Sequence, residues 1–214
     1  MQSVRLSTLV SLIPNCNLLA DVGCDHGYVG IEALRLGKAQ RVAFMDISLP
    51  SLNKARSNCP EEFKEVVTFH CQDGLGDTKA DCVIIAGMGG LEIISILKLA
   101  KFLPDKLVLQ PMRNQRDVRA YLMKQYEVVT DVKFFDGKYY DVIVAKRNDK
   151  PTTLTELELE FGKSNLQQPS KDFIGFLQLE LTKLNKILEN TQDADVVAKR
   201  DLVTQTLSQV LLKI

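Results

Sequence analysis

Leu18-Leu19-Ala20-Asp21-Val22-Gly23-Cys24-Asp25-His26-Gly27-Tyr28 decides the fold of this chain. An apolar run ends in an acid, passes through a glycine-punctuated turn and enters an amphipathic stretch marked by Ile31, Leu34 and Leu36. That order reads as a strand running into a helix through a tight loop. Glycine at 23 and 27 lets the backbone approach a ligand where a Cβ would stand in the way. The loop carries Asp21 and Asp25 where a phosphate cradle would carry Gly, Ser or Lys. A carboxylate repels a pyrophosphate but accepts hydrogen bonds from an ammonium or a ribose hydroxyl. S-adenosylmethionine offers both groups and no phosphate, so the loop favours that cofactor over NAD or ATP.

Outward from this loop, strand-like and helix-like runs alternate. The patterns predict strands over 18–22, 41–46, 66–70, 81–86 and 106–110, and helices over 4–13, 28–37, 50–58, 90–102 and 114–125. The strand cores are short and almost continuously apolar, as parallel strands buried on both faces are. Alternation of this kind indicates a doubly wound α/β sheet. Residues 127–135 and 139–147 form two further β-rich runs joined by Asp136-Gly137, a strong hairpin signal. Hairpins occur in many folds, but a sheet ending in one is unusual among dinucleotide-binding folds and usual in the Rossmann-like class I methyltransferase arrangement, seven mostly parallel strands with the last one antiparallel, which is the fold expected here. After Lys150-Pro151 the pattern changes. Residues 170–190 and 194–213 each carry one apolar stripe, and an antiparallel helical hairpin, coiled-coil-like, is expected. The chain thus divides into a cofactor-binding catalytic domain, 1–150, and a helical extension, 151–214.

Composition narrows the function further. The chain has 214 residues, 45% of them hydrophobic, and a formal net charge of zero. A strongly basic nucleic-acid coat is excluded, so RNA contacts must come from local patches. Five cysteines form no C-x-x-C pair, and reduced, buried thiols in a cytoplasmic protein are expected. Two histidines and no Cys/His cluster argue against a metal site. No apolar run is long enough to cross a bilayer.

Each remaining motif has a functional and an ordinary reading. Asp46, followed by Ile47, ends the second strand about 20 residues beyond the loop, where an acid accepts ribose hydroxyls; it is also placed to cap the next helix. Gln72-Asp73-Gly74 follows the third strand, with Asp73 facing the adenine amine or forming an ordinary Asp-Gly turn. Gly87, Met88, Gly89 and Gly90 follow the fourth strand, where backbone must approach something closely or adopt positive φ. The Asn/Asp-Pro-Pro-aromatic sequence frequent in exocyclic-amine methyltransferases is missing there. Gln110 and Pro111 follow the fifth strand, before Arg113, Arg116 and Arg119, whose spacing of three puts them on one side of a helix. Those arginines either touch phosphates or form a solvated face diluted by Asp117. Cys24 reads as a small packed residue.

These residues together resemble the bacterial TrmK family, which methylates N1 of adenine 22 in tRNA with S-adenosylmethionine. The family's A-D-[IV]-G-[SC]-D-H-[AG]-Y loop is complete as Ala20 to Tyr28, its I-A-G-M-G-G run as Ile85 to Gly90, and its L-[IV]-L-Q-P segment as Leu107 to Pro111. The Gly-Lys-Tyr-Tyr of residues 137–140 and the helical extension are also similar. Asp46 stands where the family often has Glu, Met112 where an Asn often follows Gln-Pro, and Lys163 where Pro is usual. The resemblance implies cofactor contacts from Asp21, Gly23, Cys24, Asp25, Gly27, Asp46, Ile47, Gln72, Asp73, Gly74, Gly87, Met88 and Gly89. It implies substrate contacts from Arg5, Tyr28, Gln110, Pro111, Arg113 and Arg116, with Asp25 and His26 at the reacting base. The partner is tRNA and no metal is required; a monomer is expected, with pairing through the helical extension as the alternative. The rival functions are methylation of another RNA or a small molecule, and a non-catalytic binding module. A nucleotide-dependent oxidoreductase is disfavoured because G-x-G-x-x-G is missing.

Overall fold

A computed structural model describes residues 3–213. Seven strands form one sheet: β1 (Cys16–Val22), β2 (Ala39–Asp46), β3 (Val67–Cys71), β4 (Cys82–Met88), β5 (Lys106–Pro111), β6 (Tyr126–Asp136) and β7 (Lys138–Arg147). Their order is β3-β2-β1-β4-β5-β7-β6. The first five run parallel, and β7 enters antiparallel between β5 and β6. Gly137, at φ +72°, makes the hairpin turn that Asp136-Gly137 predicts. Parallel order reverses between β1 and β4, and the crevice at a reversal point is where open α/β sheets bind ligands.

Helices α1 (Val4–Leu12), α2 (Tyr28–Arg35) and α3 (Leu49–Asn58) cover one face of the sheet; α4 (Gly90–Leu99) and α5 (Gln115–Leu122) cover the other. The start of α3 follows from its sequence. Ser48 caps it by accepting the Ser51 N–H at 3.3 Å, with Pro50 in the first turn. Gly37, at φ +66°, stops α2 in the left-handed conformation that a side chain resists.

The extension holds more structure than its sequence pattern announces. Two short helices, α6 (Glu156–Phe161) and α7 (Lys163–Gln167), precede the expected pair α8 (Lys171–Leu188) and α9 (Ala194–Leu211). The pair closes a third core around Phe161, Phe173, Leu177, Leu184, Val203 and Val210. This unit lies against β6, the edge strand. Main-chain N–H groups of Asp131, Lys133 and Phe135 donate to the side chains of Ser164, Asn165 and Asp172 at 3.0, 2.9 and 3.0 Å. An open edge is a template for pairing with another chain, and here side chains close it. No helix among the described residues is long and apolar enough to cross a membrane. All five cysteines are free; Cys71 is exposed, against the expectation of a buried thiol.

Candidate active site

At the carboxyl ends of β1 and β4 lies a cavity of about 420 Å³, closed on the third side by α1. The structure brings Arg5, Asp21, Gly23, Cys24, Asp25, His26, Tyr28, Gly87 and Met88 to its walls. Asp46, Ile47 and Asp73 lie outside it, along the neighbouring ends of β2 and β3.

Asp21 is the least comfortable group in the cavity. It is 6% exposed, accepts one hydrogen bond from the Gly30 N–H at 3.1 Å, and faces no cation among the described residues. Burial pushes its carboxyl up to about 7, against the pull of the Gly30 N–H, and the nearby Asp46 adds to the rise. Burial and the carboxylates of Asp21 and Asp46 push the Cys24 thiol well above its ordinary value, which removes it as a nucleophile. Asp46 fulfils its capping reading. Its two oxygens accept the N–H groups of Asp25 at 3.2 Å and Ser48 at 2.8 Å, which ties the loop to the start of α3. Each oxygen has a further lone pair for a hydroxyl.

Asp25 stands at φ +45°, an uncommon conformation for a residue with a side chain. Its carboxylate receives His26 Nδ1 at 2.6 Å and Lys54 Nζ at 3.3 Å. The little burial it has raises its pKa, but the bonds from His26 and Lys54 outweigh that and hold it below the ordinary carboxylate range. The His26 ring stacks on Tyr28, centroids 5.3 Å apart. Nothing local in the sequence marks Lys54, which reaches Asp25 from α3 across 29 positions.

Several of the expected contact residues have partners within the chain. A Cβ on Gly27 would fall 2.9 Å from the Ala55 Cβ, so the packing of α2 on α3 by itself requires a glycine here. Gly23 faces the Met88 methyl, where a Cβ would come within 2.0 Å. Gly89 lies against Arg113, and a Cβ on Gly74 would meet Ile96. The Gln72 side chain ties its own turn, donating to the Gly74 carbonyl at 3.3 Å. Gln110 and Pro111 are buried. A bulge between Ala86 and Met88 shifts the pairing of β4 with β5, and Gln110 accepts the Arg5 Nε–H at 2.9 Å. The row of arginines breaks up as well. Arg119 is wholly buried, Arg116 pairs with Glu156 at 2.7 Å, and Arg113 alone has no acidic partner among the described residues.

Comparison with known proteins gives the family of this fold. The family model described as a methyltransferase domain matches residues 2–143. A tRNA (adenine(22)-N(1))-methyltransferase of Bacillus subtilis (strain 168) is 32% identical over 169 residues, 75% of this chain and 71% of the relative. The chain belongs to the TrmK family of methyltransferases. The crystal structure of the Bacillus subtilis m1A22 tRNA methyltransferase TrmK superposes with a TM-score of 0.82 at 25% identity, covering 97% of this chain and 99% of that one. Sp1610 of Streptococcus pneumoniae, solved in complex with S-adenosyl-L-methionine, gives 0.86 at 26% identity, covering 97% and 100%. The TrmK-family sheet and the helical extension are therefore shared over nearly the whole chain. Among the described residues no cluster of His, Cys, Asp or Glu is placed to hold a metal ion.

Proposed function

We propose that this chain transfers a methyl group from S-adenosylmethionine to N1 of an adenine in tRNA, adenine 22 by its family. The observation that carries the proposal is Asp21, a buried carboxylate that has no cation among the described residues and opens on a cavity at the sheet's reversal point. An ammonium supplies the missing charge, and the family supplies a ligand that has one. Asp46 takes the ribose hydroxyls, the exposed Ile47 gives the adenine an apolar wall, and Asp73 accepts from its amine. When bound, the cofactor supplies an activated methyl on a sulfonium.

The residues at the reacting base have modest work. Neutral adenine N1 already carries a lone pair, and methylation makes the purine cationic, so no proton leaves in that step. Alignment and charge stabilisation dominate. Asp25, held anionic by His26 and Lys54, faces the growing positive charge. With Nδ1 turned to Asp25, the His26 ring presents Nε2 to the edge of the adenine beside N1. Tyr28, 54% exposed and stacked on His26, offers a platform for a base turned out of its helix. The test is incubation with labelled cofactor and unmodified tRNA, followed by mapping of the methylated nucleotide. Label as 1-methyladenosine at position 22 is expected; label elsewhere, or in ribosomal RNA only, overturns the proposal.

A further inference from the structure

We infer that Arg5 binds the carboxylate of the cofactor's methionyl end, so that Arg5 and Asp21 together read an intact α-amino acid. The inference rests on the cofactor reading above and moves Arg5 from the substrate to the cofactor.

Arg5 and Asp21 line the same cavity, and neither pairs with an opposite charge among the described residues. An unpaired guanidinium and an unpaired buried carboxylate in one low-dielectric space are both costly, and the chain does not let them neutralise each other. An α-amino-carboxylate brings an ammonium for one and a carboxylate for the other. A phosphodiester on Arg5 would instead meet the carboxylates of Asp21 and Asp25 along the same wall.

The guanidinium is also held in place before any ligand arrives. Its Nε–H donates to Gln110 Oε1 at 2.9 Å, and Gln110 is fully buried. A buried amide in the middle of a sheet is expensive unless its position is used. The Arg5 main-chain N–H donates to Asp136 Oδ2 at 2.9 Å, and the guanidinium carbon lies 5.4 Å from the Tyr140 ring centre. One terminal nitrogen rests on Gly87, where a Cβ would come within 2.9 Å. With Nε committed, the terminal N–H groups form a fork for a carboxylate. Gly87 thereby gains a reason that does not require the ligand to touch it.

The test compares two ligands by calorimetry on the full chain: S-adenosylhomocysteine, and 5′-methylthioadenosine, which keeps the adenosine and thioether but lacks the amino acid. Arg5→Gln is expected to weaken S-adenosylhomocysteine by about tenfold or more, the scale of a hydrogen bond to a charged group, and methylthioadenosine by less than about twofold. Arg5→Lys, which keeps the charge without the fork, is expected to fall between wild type and Arg5→Gln and gives a second measurement should Arg5→Gln fold poorly. Equal losses on both ligands would overturn the inference by making Arg5 a support of the fold. Unchanged S-adenosylhomocysteine affinity with a shallower salt dependence of tRNA binding would overturn it by assigning Arg5 to a phosphate. If wild type binds no S-adenosylhomocysteine, the cofactor reading itself falls; if it binds and Arg5→Gln keeps the preference, only this inference falls.

Discussion

The chain buries acids in two places and treats them in opposite ways. At the end of β1, Asp21 is enclosed with one main-chain N–H and, among the described residues, no cation. Where α5 meets the β6–β7 hairpin, Asp131 and Asp141 are enclosed with Arg119 and Lys133. Arg119 grips Asp131 with two bonds, at 2.7 and 3.0 Å, reaches Asp141 at 3.1 Å, and donates to the carbonyls of Leu159 and Glu160 at 3.0 and 3.1 Å. Its five N–H donors are thereby all used. A matched set of charges fixes geometry and needs nothing from outside. An unmatched one waits for a partner, which is why perturbed acids in clefts point to binding sites.

Breaking the matched set gives the largest effect. Arg119→Met leaves two buried carboxylates to Lys133 alone and is expected to cost about 3–5 kcal/mol in urea unfolding at pH 7.5. It also frees the carbonyls that hold α6, so the extension loosens with the hairpin. A loss under about 1 kcal/mol would mean that water already reaches this joint. Deleting 151–214 is a poorer probe of tRNA docking than it looks, since it uncaps β6 and removes two of Arg119's acceptors.

Asp21 should answer in the opposite direction. Its folded pKa, about 7, lies above the ordinary carboxylate value of 3.8, so the folded chain takes up a proton that the unfolded chain releases between those values. The stability contributed by this group therefore falls as pH rises from about 4 to about 7, by up to about 1.4 kcal/mol per unit. Asp21→Asn is expected to melt above the wild type, by a margin that grows across that window and is flat beyond it. The same substitution should lose the cofactor. In wild type, S-adenosylhomocysteine affinity should fall about tenfold per unit below pH 7, because the ammonium binds the ionised acid; the weak binding of Asp21→Asn should not vary. Thermal melts and calorimetry from pH 4 to pH 9 check both. A wild type that is insensitive to pH below 7 would show that Asp21 stays ionised without a ligand.

Asp25 is a third case, exposed and paired. Asp25→Ala is expected to lower kcat on tRNA by about 10²–10³, the scale of one lost electrostatic contact in a transition state, with a few-fold effect on S-adenosylhomocysteine affinity. Single-turnover methylation and calorimetry separate the two. A loss confined to cofactor affinity would move Asp25 from the reacting base to the cofactor.

What the sequence revealed of these regions follows the range of the forces involved. The strand and helix alternation, the Asp136-Gly137 turn and the Ser48 cap are decided within a few residues, and each is legible. The cofactor loop is legible because glycines and acids are packed into nine positions. Arg119 is not: its burial is set by Asp131 and Asp141, 12 and 22 residues away, and its helix alone makes it resemble its exposed neighbours. Lys54 and the role of Gln110 are hidden for the same reason. The glycines at 27, 74 and 89 stand where a Cβ would press on Ala55, Ile96 and Arg113, neighbours that no local pattern names.

The smallest expected effect tests how far that local resemblance misleads. Arg113, Arg116 and Arg119 share one spacing and one chemistry, yet Arg119 is interior, Arg116 is tied to Glu156 across the surface, and Arg113 stands beside Gly89. An exposed pair such as Arg116–Glu156 contributes about 0–1 kcal/mol, and its charge is already answered. Arg116→Gln should therefore change both stability and tRNA affinity little, and leave the salt dependence of tRNA binding as it was. Arg113→Gln should lower the slope of log affinity against log salt by about 0.7–0.9, one phosphate's worth. Filter binding across a salt series, with S-adenosylhomocysteine present, measures both. Equal slopes for the two variants would mean that Arg116 leaves Glu156 when RNA arrives, and that the surface pair belongs with the unmatched charges after all.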